Sequence, residues 1–173
     1  MADNTIDVLI NRRSCKDYSD KLISKEDLDT ILKAGLYAAN GRGLQAPVFV
    51  AVTDKALRDK LSRMNADVLG STADPFYGAP VVVAVLANTQ AHTWVEDGSL
   101  SLGNMMNAAY ALGIDSCWIH RAREVFDSDE GKALLKEWNI PDTVRGVGFC
   151  VLGYRNSPLK EPAPRKENRV IYK

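Results

Sequence analysis

Arg12, Arg13, Ser14 and Lys16 put three cations and a hydroxyl within five residues, in the stretch NRRSCKDYSD. Forked guanidiniums, an ammonium and a hydroxyl present several donors to one small volume. That is the chemistry that holds a phosphate monoester. A second basic pair, Arg165 and Lys166, follows two prolines in APRKENRVIYK. A third stretch, NGRGLQAP at 40–47, fits the loose dinucleotide fingerprint G-x-G-x-x-A through Gly41, Gly43 and Ala46. That fingerprint works only where a strand enters the loop and a helix leaves it, so that the pyrophosphate meets helix N–H groups. Here a helical pattern runs into the loop and a β-branched run leaves it. The loop is therefore not a pyrophosphate cradle, and its glycines and Asn40 suit a helix stop and turn.

Acid–base and metal chemistry find little support. The chain has two histidines, His92 and His120, and no Ser-His-Asp or metal-ligand spacing. No catalytic side chain and no metal site are expected. Cys117 and Cys150 lie in apolar stretches and are expected to be buried small hydrophobes. Cys15 sits among Arg12, Arg13 and Lys16, cations that favour a thiolate, and so carries a minor redox reading. Three cysteines without a C-x-x-C argue against a disulfide framework and for a reducing cytoplasm.

The elements that must position these residues are legible from periodicity. A short helix is expected around residues 5–11. Ser24 with Asp27 starts a capping-box-like turn, and Leu28, Ile31, Leu32, Gly35 and Leu36 recur at helical spacing, so residues 24–39 read as an amphipathic helix. Strands are expected at 48–53, 81–87, 115–119 and 145–154, and further helices at 55–69, 95–113 and 128–138. Asp54 is placed to cap the helix at 55–69, and Gly113 to stop the one at 95–113. The apolar run VVVAVLA suits a strand buried on both faces. Residues 155–173 read as an extended tail. The whole, residues 1–173, is one α+β domain with a small central sheet.

Composition narrows the partners. The 173 residues are 46% hydrophobic and 25% charged, with a formal net charge of +0. No field favours nucleic acid or an anionic membrane, and no basic stripe is interleaved with aromatics. The longest apolar run, residues 79–87, is too short to span a bilayer. MADNTIDVLI lacks the pattern of a signal peptide.

Taken in series, RRSCKDYSD, AANGRGLQAP, DPFYGAPVVVAV, DGSLSLGNMMNAAYALGIDSCWI, GVGFCVLGY and PRKENRV resemble the nitroreductase family of FMN-dependent oxidoreductases over nearly the whole chain. The resemblance implies an α+β fold with a four- to five-stranded mixed sheet wrapped by helices. It implies an obligate homodimer with FMN in a cleft built from both chains. Arg12, Arg13 and Ser14 match the motif that binds the FMN phosphate. Lys16 matches a basic position near the flavin, and Arg165 and Lys166 join the phosphate. Asn40, Gly41, Arg42, Gly43 and Gln45 form a loop along the flavin or its ribityl chain. Trp118, Ile119, His120 and Arg121 lie over or beside the isoalloxazine.

Two departures stand out. Gly43 occupies a position where many members carry Asn, so Asn40, Arg42 or backbone must take its place. His120 and Arg121 replace an acidic residue and Gly. The implied activity is hydride transfer from NAD(P)H to flavin N5, followed by reduction of a small nitroaromatic or quinone acceptor with ping-pong kinetics. The alternative is a flavin-binding sensor, storage or partner-fed protein without its own NAD(P)H turnover. The chain also lacks the insertions that cover the substrate side in longer members, so an open site is expected.

Overall fold

The computed structural model describes residues 5–173. Helix α1 (Thr5–Asn11) is followed by α2 (Lys25–Leu36), a 3-10 turn (Gly41–Gly43), β1 (Pro47–Val52), α3 (Lys55–Leu69), β2 (Val81–Asn88), α4 (Trp94–Ala111), β3 (Asp115–Ile119), α5 (Ala122–Asp127), α6 (Asp129–Glu137) and β4 (Val144–Gly153). Side-chain caps set three starts. The Ser24 hydroxyl accepts the Asp27 N–H at 3.0 Å and donates to the Asp27 carboxylate at 2.7 Å. Asp54 accepts the Leu57 N–H at 2.8 Å and Ser128 the Gly131 N–H at 3.0 Å. At the other end of α4, Gly113 takes φ 75°, the left-handed stop that its sequence position demanded.

The strands form one sheet in the order β1-β2-β4-β3, antiparallel throughout. The mixed sheet implied by resemblance is thus antiparallel in its named strands. The parallel element is an isolated bridge between Ser14 and Ser116, where the basic segment lies against edge strand β3. An open edge needs a cover, and here the covering backbone is the RRSCK stretch itself.

β2 is buried along seven of its eight residues because helices lie on both faces. One apolar cluster, with Phe76, Phe126 and Phe149, fills the side toward α3, α5 and α6. The other, with Ile31, Leu102 and Met105, fills the side toward α2 and α4. The three phenylalanine rings pack at centroid distances of 5.2 and 5.8 Å.

A bulge breaks the β2–β4 register between Val85 and Leu86, whose partners are Gly148 and Gly146. The extra residue, Val147, packs against Gly98 in the first half of α4, where an added Cβ would lie 2.7 Å from Val147 Cγ2. Gly146 is closer still: a Cβ there would sit 2.2 Å from the Ala122 carbonyl oxygen. Gly146→Ala is expected to destabilise the protein by about 2 kcal/mol or more, read as a lower urea midpoint.

Two elements differ from the sequence expectation. The second helix ends at Leu36 rather than near 39, because the Ala38 N–H turns back to the Gly35 carbonyl at 3.2 Å. α5, six residues long, is an element that the sequence pattern does not announce; it is too short to show a period.

Candidate active site

The basic segment is fixed by backbone. The Cys15 N–H donates to the Ser116 carbonyl at 3.0 Å, the Tyr18 N–H to the Tyr77 carbonyl at 3.3 Å and the Ser19 N–H to the Tyr154 carbonyl at 2.8 Å. The two arginines on it have different jobs. Arg13 Nη1 donates to the Ile10 carbonyl at 2.7 Å and to the Arg12 carbonyl at 2.6 Å, closing the last turn of α1. Arg12 makes no such bond; its Nη1 is buried without a partner, as is the Nε of Arg13. A buried guanidinium nitrogen is costly unless an acceptor meets it. Ser14 and Lys16 are exposed next to it, and the Lys16 ammonium stands 5.6 Å from the Tyr77 ring centre.

Cys15 does not fit a redox role. It is 2% exposed, and burial pushes its thiol above the ordinary value, with Asp115 adding to the rise. The cations beside it in sequence do not reverse this. Cys117 and Cys150 are buried, as their apolar surroundings required. Burial pushes the Cys150 thiol up to about 12.

The loop at 40–45 is a tight, self-bonded turn. Arg42, Gly43 and Gln45 have φ of 56°, 68° and 49°. Two of these are non-glycine residues in the left-handed region, a costly conformation that surrounding contacts must hold. Asn40 supplies one contact: its Oδ1 accepts the Gln45 N–H at 3.0 Å and its Nδ2 reaches the Ala38 carbonyl at 3.4 Å. Its amide is thus already committed within the loop. Arg42 is exposed and makes no side-chain hydrogen bond or ion pair among the described residues. Asp97 supplies the other contact, accepting the Gly41 N–H at 2.9 Å. Asn40 and Gln45 border a cleft of about 580 Å³ with Tyr37, Pro47 and Ser101.

At the end of β3, Trp118 is half-buried with its indole against Gly148, where a Cβ would lie 2.7 Å from Nε1. Ile119 is buried. His120 is exposed, and its carbonyl accepts Asn65 Nδ2 at 2.7 Å. Arg121, with φ 73°, stands at the N-cap of α5. Two residues on, the Arg123 guanidinium lies 4.8 Å from the Trp94 ring centre. The 40–45 loop and the strand end therefore both flank the first turn of α4.

The basic segment stands at the opposite end of β3, beside Ser116. No hydrogen bond or ion pair among the described residues joins it to the loop. Arg165 and Lys166 are exposed and equally unconnected to Arg12. The root of the tail does touch the segment. Ser157 donates to Asp17 at 2.6 Å and Asn156 Nδ2 to Asp17 at 3.1 Å, holding that carboxyl below its usual range.

The sequence model of the Nitroreductase family matches residues 9–75 and 69–154. The chain belongs to this family. A relative from Archaeoglobus fulgidus, provisionally named an NADH dehydrogenase/NAD(P)H nitroreductase, is 32% identical over 88% of this chain and 86% of its own. The FMN reductase (NADPH) of Bacillus subtilis is 25% identical over 98% of this chain and 73% of its own. Among solved structures, a nitroreductase with bound FMN from Bacteroides fragilis is 28% identical. It superposes with a TM-score of 0.89, over 99% of this chain and 100% of its own.

Sequence reasoning missed three residues that fix these candidate segments: Asp97, Asn65 and Asp74. An acid in the first turn of a helix reads as ordinary dipole complement, and an Asn inside a helix as surface. Nothing in their spacing marks them: Asp97 and Asn65 bond backbone groups remote in sequence, and Asp74 gathers its donors from α3 and from its own turn.

Proposed function

We propose that this nitroreductase-family chain is an NAD(P)H-dependent FMN oxidoreductase acting on a small nitroaromatic or quinone-type acceptor. FMN, held by Arg12 and Ser14 at its phosphate, would supply the redox chemistry, hydride acceptance from NAD(P)H and reduction of the acceptor. The observation that carries the reading is the buried, unpartnered Arg12 Nη1 beside Ser14 and Lys16. Arg12 would take phosphate oxygens in a forked, charge-assisted contact, and Ser14 would add a hydroxyl. Family membership and an FMN-bound neighbour of the same fold support the cofactor assignment. The loop at 40–45, with its exposed backbone, would meet the flavin edge, and Trp118, Ile119, His120 and Arg121 its face or rim.

The site is proposed to be completed by a second copy. The basic segment, the loop and the tail pair Arg165 and Lys166 are not joined in one chain. Large apolar side chains are also left in water: Leu9, Ile10 and Tyr37 are 54%, 62% and 80% exposed, and Ile171 and Tyr172 of the tail 74% and 92%. A homodimer would cover them and bring the pieces to one FMN. No described helix is long and apolar enough to cross a membrane; a cytoplasmic setting is the accompanying proposal.

The test is direct. The purified protein should show flavin absorption, release FMN on heating at near one per chain, and oxidise NAD(P)H with an added quinone. A colourless protein that takes up no FMN would overturn the reading, and a yellow one without NAD(P)H oxidation would leave only flavin binding. Arg121 offers a finer test. A cation at the flavin rim favours the reduced, more negative state, so Arg121→Ala should lower the midpoint potential. The shift expected is on the order of 30 mV, about 1.4 kcal/mol for two electrons. An unchanged potential by dye equilibration would place Arg121 away from the ring.

A further inference from the structure

We propose that Asp97 is a positioning residue for the flavin-edge loop, clamping the Gly41 backbone to the first turn of α4 so that Arg42, Gly43 and Gln45 keep their left-handed backbone. The inference rests on the flavin reading above for its functional consequence, but the clamp itself stands on geometry.

Asp97 is 2% exposed, the fourth residue of α4. One oxygen accepts the Gly41 N–H at 2.9 Å, across 56 positions of sequence, and the other is buried without any partner. A buried carboxylate with one oxygen unmet is destabilising by itself. The positive end of the α4 dipole and the helix's own first-turn amides compensate in part. The helix start needs no acceptor aimed across to another segment, so the buried oxygen is explained by the Gly41 N–H it holds.

What it holds is strained. Arg42 and Gln45, both non-glycine, have positive φ on either side of Gly43 and Leu44. Such a turn relaxes unless it is tied at both ends. Asn40 ties the far end through the Gln45 N–H, and the Ala46 carbonyl accepts the Asn88 N–H at 3.0 Å. Asp97 is the tie at the near end.

The fit is close. A Cβ on Gly41 would lie 2.1 Å from Thr93 Oγ1, so the loop backbone rests directly on the helix start. The bulge residue Val147 packs against Gly98 and seats that same turn from below. Asp97 thereby couples the loop to α4, and through Val147 to the central sheet. Cutting its bond should release the loop while the sheet and helix remain.

The experiment compares wild type, Asp97→Asn, Asp97→Ala and Asp97→Ser. Amide hydrogen exchange of Gly41 and Gln45 is followed in the FMN-free protein, and FMN dissociation constants by flavin fluorescence. Asn keeps an oxygen facing the Gly41 N–H, so exchange and affinity should stay within about threefold of wild type. Ala and Ser cannot reach it. Their Gly41 exchange should rise at least tenfold while β2 amides stay protected, and FMN affinity should fall at least tenfold. Ser keeps a polar group at the helix and covers the case in which Ala does not fold. Equal Gly41 exchange in all four proteins, or faster exchange only in step with β2, would overturn the clamp. Released exchange with unchanged FMN affinity would overturn its role toward the flavin. A wild type that binds no FMN would sink the functional reading separately, and the exchange data would still decide the clamp.

Discussion

Arg12→Ala is expected to weaken FMN binding by roughly a hundredfold, about 3 kcal/mol, while Arg13→Ala weakens it less than about tenfold. The two residues are adjacent and chemically identical, so the difference comes from their surroundings. Arg13 already gives its Nη1 to the Ile10 and Arg12 carbonyls, and losing it removes a helix cap. Both keep a buried nitrogen without a partner, Nη1 of Arg12 and Nε of Arg13, but only Arg12 has no hydrogen bond within the chain to hold its guanidinium back. Charge-assisted bonds to a phosphate satisfy the Arg12 nitrogen and are among the stronger ones available to a side chain.

The apo proteins should show the reverse order. Each substitution removes one unmet buried donor, but Arg13→Ala also loses two hydrogen bonds to carbonyls, so it should lower stability by about 1 kcal/mol while Arg12→Ala is neutral or slightly stabilising. Fluorescence titration with FMN and thermal unfolding of the FMN-free variants check both halves. If the two variants bind FMN equally well, the phosphate is not where Arg12 points.

That contrast shows what could be read before the fold was seen. RRSCK announced phosphate chemistry through its residue types alone, and the sequence could treat its two arginines only as a pair. Their division of labour depends on where α1 ends, a matter of one residue and two carbonyls. The longer helices were legible because their apolar faces repeat with a clear period, which the six residues of α5 are too few to show. So was β2, whose unbroken apolar run declares burial on both faces. The loop NGRGLQAP was legible as a turn that is not a pyrophosphate cradle, because the order helix–loop–strand excludes helix N–H groups on the needed side. Its clamp was not legible. Asp97 acts on a backbone amide 56 residues away, and backbone amides leave no trace in side-chain pattern. The Asn40 side chain illustrates the same limit. It was a candidate replacement for the missing Asn at Gly43, and its amide is instead spent on Ala38 and Gln45.

Asp74→Ala is expected to be the most destabilising of these substitutions, by about 3 kcal/mol, and to soften the flavin side of the site as well. Asp74 collects four donors: Arg58 Nη2 at 2.6 Å, Ser62 Oγ at 2.5 Å, and the Phe76 and Gly78 N–H groups at 2.9 and 2.7 Å. Arg58 is 8% exposed and also donates to the Ala79 carbonyl at 2.9 Å. Removing one partner of a buried ion pair typically costs about 3–5 kcal/mol; here the loss is reduced by the partial exposure of the Asp74 side chain and by the remaining Arg58–Asp59 contact at 3.3 Å.

The consequence reaches Lys16. Asp74 shapes the turn that holds Tyr77 at φ 55°, and Tyr77 supplies both the carbonyl for Tyr18 and the ring near the Lys16 ammonium. The pH dependence has a definite sign. Burial alone would raise the Asp74 carboxyl, but its hydrogen bonds from Arg58, Ser62, Gly78 and Phe76 outweigh burial and hold it below the ordinary carboxylate value. A carboxyl depressed in the folded state contributes stability that is complete above its unfolded pKa of about 3.9 and is lost as pH falls through the folded value. The stability gap between wild type and Asp74→Asn should therefore be largest near neutrality and shrink below about pH 4. Urea unfolding at a series of pH values reads it, and a gap constant down to pH 3 would mean that the charge of Asp74 contributes nothing.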